Sequence, residues 1–249
     1  LVPAVGLPGA VLSLGLFYAV LSILVERRRG SSAPRRGAAV WVSSGTVIWF
    51  VMLFAFMPPP LNPKAGYSLR SVYQGPGGIV SVQEDADESL HIVLDDRYLL
   101  NGTRKSLRSQ KHEGWIPLFL RDRTDRVLFV GMASGISAGA ALDFPIRELT
   151  AVEIVPGVVR AARDSFEPWN GWLFKDPRSK VVVGDGRRVL ESAREPFDLV
   201  ICDLMLPGQE GTADLYSRDF FAAVSSKLRE GGTFCLWLPS YQLDAELSS

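Results

Sequence analysis

Three carboxylates in this chain each follow a short apolar run, where a β-strand would end. Glu153 closes Leu149-Thr150-Ala151-Val152, Asp185 follows Val181-Val182-Val183-Gly184, and Asp203 follows Leu199-Val200-Ile201-Cys202. A carboxylate after a second parallel strand accepts hydrogen bonds from both hydroxyls of a ribose, so Glu153 points to a nucleoside without choosing among cofactors. Asp185, between Gly184 and Gly186, has room to accept from an exocyclic adenine amine. Asp203, beside a bound sulfonium nucleoside, would take the proton of an attacking amine or stabilise a cationic nucleophile. Each also has a plain structural reading: a solvated strand-end carboxylate for Glu153, an Asp-Gly turn for Asp185, a cap for Asp203. Asp198, just before the same strand as Asp203, reads as a turn residue.

The stretch that would gather them is Val127–Gly135, V-L-F-V-G-M-A-S-G. Four apolar residues before a glycine turn fit a strand buried on both faces. Gly131, Ser134 and Gly135 form the turn, and its glycines let the backbone approach a ligand ahead of a helix N-terminus. From here strands and helices alternate. The strands expected are Val127–Val130, Leu149–Glu153, Val181–Val183, Leu199–Cys202 and Thr233–Leu238. The helices expected are Ile136–Leu142, Gly157–Ser165, Arg187–Ala193 and Ser217–Leu228. Such alternation implies right-handed crossovers and an α/β, Rossmann-like, doubly wound parallel sheet. Ligands then sit at the C-terminal strand ends, near the point where strand order reverses.

Upstream the pattern differs. Ala4 to Val25 and Gly37 to Met57 contain no charged residue, and each matches the ~20 residues of a membrane-crossing helix. Residues 1–57 therefore read as two transmembrane helices around an arginine-rich loop, and the expected location is a bacterial inner membrane, multi-pass. Five arginines between Glu26 and Arg36 favour the cytoplasmic side for that loop, which leaves the side of the C-terminal domain open. Residues 58–69 form a proline-rich linker. Residues 70–108 read as a small antiparallel β-unit, with strands Ile79–Val82, Leu90–Leu94 and Tyr98–Leu100. Residues 109–249 form the α/β domain, opened by a helix from Ser109 to Leu120 that Pro117 should kink or break. The apolar start at Leu1 suggests missing upstream residues, and the end at Ser249 suggests a domain incomplete at its C-terminus.

Charge is balanced, with 27 basic and 27 acidic residues, so no global field points to nucleic acid. Cys202 and Cys235 lie in apolar runs and read as buried thiols on neighbouring strands. His91 and His112 are too few and too separated for a zinc cluster, and no metal is expected.

From Val72 to Leu243 the chain resembles the spermidine synthase (polyamine aminopropyltransferase) family, a branch of the class I S-adenosylmethionine-dependent methyltransferase fold, and its membrane-anchored bacterial members above all. The likeness runs through Val72-Tyr73-Gln74, His112-Glu113, Pro117-Leu118, the glycine turn, Val152-Glu153-Ile154, Gly184-Asp185-Gly186, Asp198 to Asp203, Leu215 to Phe221 and Gly231 to Leu238. The resemblance implies that Glu153 binds the ribose and Asp185 the adenine of decarboxylated S-adenosylmethionine, or S-adenosylmethionine, as co-substrate. It implies that Gln74 helps hold the nucleoside, that Asp203 is the general base, and that Tyr216 lines the channel for a small amine. Two departures stand out. Ser134 replaces an aspartate that holds the aminopropyl end of the donor, and Leu206 replaces one that binds the polyamine. Each lost charged hydrogen bond costs roughly 1.5–3 kcal/mol. Three readings follow: an aminopropyltransferase, another S-adenosylmethionine-dependent transferase such as a methyltransferase, or a non-catalytic subunit of a membrane complex. A homodimer is a further expectation for partners.

Overall fold

The computed structural model describes residues 65–95, 98–100, 102–203 and 213–238, with the single positions 15, 17, 20 and 63. The chain divides into two units, Leu1–Asn62 and Pro63–Ser249. In the first, Gly15, Phe17 and Val20 are helical. The other residues of the two stretches expected to cross a membrane lie outside the described residues. No helix among the described residues is long and apolar enough to cross a membrane. The longest described helix of the second unit, α1 (Leu107–Phe119), has 13 residues against the ~20 apolar residues of a span. It also carries Arg108, Lys111 and Glu113. The expected inner-membrane location is corrected on this finding.

The second unit opens with a four-stranded antiparallel sheet in the order β1-β2-β3-β4. Its strands are β1 (Ser68–Gly75), β2 (Gly78–Glu84), β3 (Leu90–Leu94) and β4 (Tyr98–Leu100). β1 is not legible as a strand in the sequence. Its residues are mostly exposed on both faces, so the apolar alternation of a half-buried strand is absent. Pairing creates it: Gly75 lies opposite Gly78 across Pro76-Gly77, and the ladder continues to Ser68 and Glu84.

α1 runs through Pro117 without a break, because the proline falls in its last turn. Proline has no N–H, which leaves the carbonyl of Glu113 free. That carbonyl accepts a hydrogen bond from Trp237 Nε1 at 3.1 Å.

A five-stranded parallel sheet follows. Its elements are β5 (Arg126–Val130), α2 (Ile136–Ala140), β6 (Glu148–Glu153), α3 (Pro156–Ser165), β7 (Ser179–Val183), α4 (Gly186–Ser192), β8 (Phe197–Cys202), α5 (Arg218–Lys227) and β9 (Leu228–Leu236). The strand order is β7-β6-β5-β8-β9, with every pairing parallel. β5 and β8 are buried at every residue, as central strands covered on both faces must be. The chain builds outward from β5 to β7, then returns to place β8 on the other side. The reversal therefore lies between β5 and β8, beside Gly131 and Asp203.

Three differences from the sequence reading have local causes. α2 is shorter than expected and tightens into a 3-10 turn at Ala141–Asp143. α5 starts at Arg218 because the Ser217 hydroxyl caps it, accepting from the Phe220 N–H at 3.1 Å. β9 begins at Leu228, five residues early, because a register shift against β8 takes up the glycine turn, where Gly231 has φ +72.

The antiparallel sheet packs on the α/β domain through Val80, Val82 and Ile92 against Ile136, Val158 and Phe166. Cys202 and Cys235 are free thiols on neighbouring strands. Cys235 lies opposite Ile201, so strand alternation sends the Cys202 side chain to the other face.

Asp198 is inside β8, where the sequence suggested a turn. Its buried carboxylate accepts from the backbone N–H groups of Asp125 at 2.9 Å and Arg126 at 2.7 Å, and pairs with Arg229 at 3.0 Å. One side chain thus ties the starts of β5, β8 and β9. Asp198→Ala strands two backbone donors, and the expected loss is about 3 kcal/mol, read as a lower urea midpoint with an unchanged slope.

Candidate active site

The turn after β5 is built from backbone hydrogen bonds and one buried carboxylate. Gly131 enters it at φ +85 and donates its N–H to Val152 O at 2.9 Å. Gly135 leaves it at φ +79, a conformation that costs a side chain strain. A Cβ there would also lie 2.9 Å from Leu173. Ala133 adopts φ +47 without being glycine. The Glu153 carboxylate pays for that irregular path. Its Oε2 accepts from the N–H groups of Met132 at 3.3 Å and Ala133 at 3.1 Å, and its Oε1 from Val155 at 3.0 Å. Burial, partly opposed by these N–H groups, pushes the Glu153 carboxyl above the usual range. Glu153 therefore shapes the loop from the end of β6.

Asp185 caps α4, its Oδ1 accepting from Arg187 N–H at 2.9 Å. The side chain is nearly half exposed, and its Oδ2 lies 3.7 Å from Arg188 Nε. Gly186 packs against Val130, where a Cβ would come within 2.5 Å. Gln74 sits on β1 with an exposed side chain, and its carbonyl accepts from Arg160 Nη2 at 3.2 Å, pinning the strand to α3. Tyr216 ends the 3-10 turn Ala213–Tyr216. Burial, then the Cys202 thiol, pushes its hydroxyl pKa up. Ser134 lies in the turn after β5. It is 2% exposed, and its hydroxyl donates to Gln110 Oε1 at 3.0 Å, so its polar group is engaged inside the protein.

Asp203 follows β8, with its N–H on Val130 O at 3.2 Å. Its Oδ2 accepts from Ser137 Oγ at 2.8 Å. Ser137 Oγ also lies 3.5 Å from Glu113 Oε2. Glu113 reaches this point because α1 crosses α2 closely: a Cβ on Gly114 would sit 2.1 Å from Ser137 O. Burial, the Asp203 charge and a hydrogen bond with Asp203 push the Glu113 carboxyl up to about 8. Burial, then Asp203, pushes the Cys202 thiol up to about 12 and raises Cys235. Two carboxyls this close in a desolvated crevice do not both ionise at neutral pH. The sequence marked Glu113 only within a stretch of family likeness, and assigned no role to Ser137. No local pattern announces either one, since they meet Asp203 only through the α1–α2 crossing.

A doubly wound parallel sheet with a glycine turn and acidic strand ends at its crevice defines a Rossmann-like fold of the methyltransferase type. The Spermine/spermidine synthase domain family matches residues 112–248, and the chain belongs to that family. It is 33% identical over 111 residues to a polyamine aminopropyltransferase of Korarchaeum cryptofilum, covering 45% of this chain and 34% of that protein. It is 36% identical over 131 residues to putrescine N-methyltransferase 4 of Nicotiana tabacum, covering 49% and 33%. The crystal structure of spermidine synthase from Thermotoga maritima superposes with a TM-score of 0.60 at 22% identity, covering 68% of this chain and 56% of that one. At that identity the likeness shows the fold. The chain spans about a third of the length of these curated relatives.

Proposed function

We propose that this chain carries an aminopropyl-transfer site, moving an aminopropyl group from decarboxylated S-adenosylmethionine to a small amine. The observation that supports the reading is Asp203, held by Ser137 at 2.8 Å at the reversal between β5 and β8, on the same strand-end edge of the parallel sheet as Glu153 and Asp185. Glu153 and the Asp185 carboxylate take the ribose and adenine. Gln74 supports the nucleoside from β1, and Gly131 and Gly135 let the backbone close on it. Tyr216 borders the amine. The amine nitrogen attacks the methylene carbon next to sulfur. A C–N bond forms, the C–S bond breaks, and its electron pair stays on sulfur as a neutral thioether. The proton leaving nitrogen goes to Asp203.

Methyl transfer is the second reading. It is favoured by the Ser134 hydroxyl, which is uncharged and bonded to Gln110, and by the likeness to a putrescine N-methyltransferase. Calorimetric titration of the full chain with decarboxylated S-adenosylmethionine, S-adenosylmethionine and methylthioadenosine separates the two. Tighter binding of the decarboxylated donor is expected. Preference for S-adenosylmethionine moves the assignment to methyl transfer, and no binding of any of the three overturns both.

A further inference from the structure

We propose that Glu113 is a positioning residue for Asp203: the two carboxyls share one proton across Ser137, so the amine end of the site carries a single negative charge until Glu113 ionises. The proposal rests on the reading of Asp203 as the base. Its geometry does not. Ser137 Oγ lies 2.8 Å from Asp203 Oδ2 and 3.5 Å from Glu113 Oε2, and one hydroxyl hydrogen cannot serve two carboxylates. A proton on Glu113 resolves this, because the acid form donates to Asp203 while Ser137 donates to the same carboxylate. Asp203 is then held in the ionised, accepting state and aimed by two donors. The backbone on both sides is fixed. Trp237 Nε1 grips the Glu113 carbonyl at 3.1 Å, and Gly114 permits the approach of α1 to Ser137.

The proton count follows. With one resident proton, Asp203 is a weak base, because its negative charge is already shared with two donors. Loss of the Glu113 proton leaves two like charges in a buried site, and the pair becomes a stronger base. The titratable groups near Asp203 from the adjoining strands are the Cys202 and Cys235 thiols, both raised by burial and by Asp203. Tyr216, beside Cys202, is raised as well. Lys111 and His112 are on α1 itself.

The test has two arms on the full chain. In the first, carboxyl carbons of glutamate are labelled and followed by NMR against pH, with the Glu113 signal assigned from Glu113→Gln. The expected midpoint is near 8, falling in Asp203→Asn because the like charge is gone. A midpoint in the ordinary glutamate range, or one that ignores Asp203→Asn, overturns the shared proton. In the second, kcat at saturating donor and amine is followed against pH. The wild type should rise as Glu113 ionises, and Glu113→Gln should lose that limb while keeping measurable turnover, since an amide still donates but never ionises. Superposable profiles overturn the positioning role. Wild-type protein with no turnover for any donor and amine overturns that role through the base assignment on which it rests. The first arm still judges the proton-sharing in that event.

Discussion

Asp203→Asn is expected to lower aminopropyl turnover by about a hundredfold to ten-thousandfold, the range a positioned general base contributes, while nucleoside binding stays nearly unchanged. The substitution is close to isosteric, and the amide oxygen still accepts from Ser137 Oγ, which now sits 2.8 Å from Asp203 Oδ2. What disappears is the carboxylate proposed to receive the proton. In the proposed site donor binding lies with Glu153, Asp185 and the glycine turn, whereas Asp203 is held by Ser137. Calorimetry and single-turnover kinetics on the same preparation separate the two quantities. Equal activity in the mutant would remove Asp203 from the mechanism, and a large loss of nucleoside affinity would recast it as a structural residue.

A second large effect is expected at Glu153. Glu153→Gln keeps the size of the side chain but turns one acceptor oxygen into an NH2 that faces backbone N–H groups. Met132 and Ala133 donate to one oxygen and Val155 to the other, so either orientation leaves backbone donors unpaired. A hydrogen bond to a charged group contributes about 1.5–3 kcal/mol, and that is the expected destabilisation, because the amide keeps its oxygen toward Met132 and Ala133 and leaves Val155 N–H unpaired. Ala133, at φ +47, depends on this anchoring, because a non-glycine residue holds that conformation only when its surroundings impose it. The loop should loosen and nucleoside affinity should fall along with the urea midpoint. A mutant of wild-type stability with weakened binding would confine Glu153 to ligand contact. A destabilised mutant with unchanged affinity would confine it to the loop.

Much of this arrangement is readable from residue order. Unbroken apolar runs such as Val127–Val130 and Leu199–Cys202 have no polar face to show water, so they belong inside a parallel sheet, and β5 and β8 are buried at every residue. Carboxylates just past those runs must emerge at the strand ends, which is where Glu153, Asp185 and Asp203 lie. Other features have no local signature. β1 exists because β2 pairs with it across Pro76-Gly77, and its own residues are too exposed to show a strand pattern. Ser134 is placed in the glycine turn by the sequence, and its hydroxyl donates to Gln110 Oε1, a partner 24 residues away. Asp198 looked like a turn residue, yet it bridges the backbone at the start of β5 and Arg229 in β9.

Periodicity by itself determined the parallel sheet, its glycine turn and which acids stand at its crevice, because burial of a strand acts on neighbours in sequence. Only the tertiary structure decided what those acids touch. Glu113 comes to Asp203 through a helix crossing that Gly114 permits, and Ser137 stands between them on a second helix. Hydrogen bonds and shared protons act over about 3 Å in space, and separation along the chain does not encode that distance.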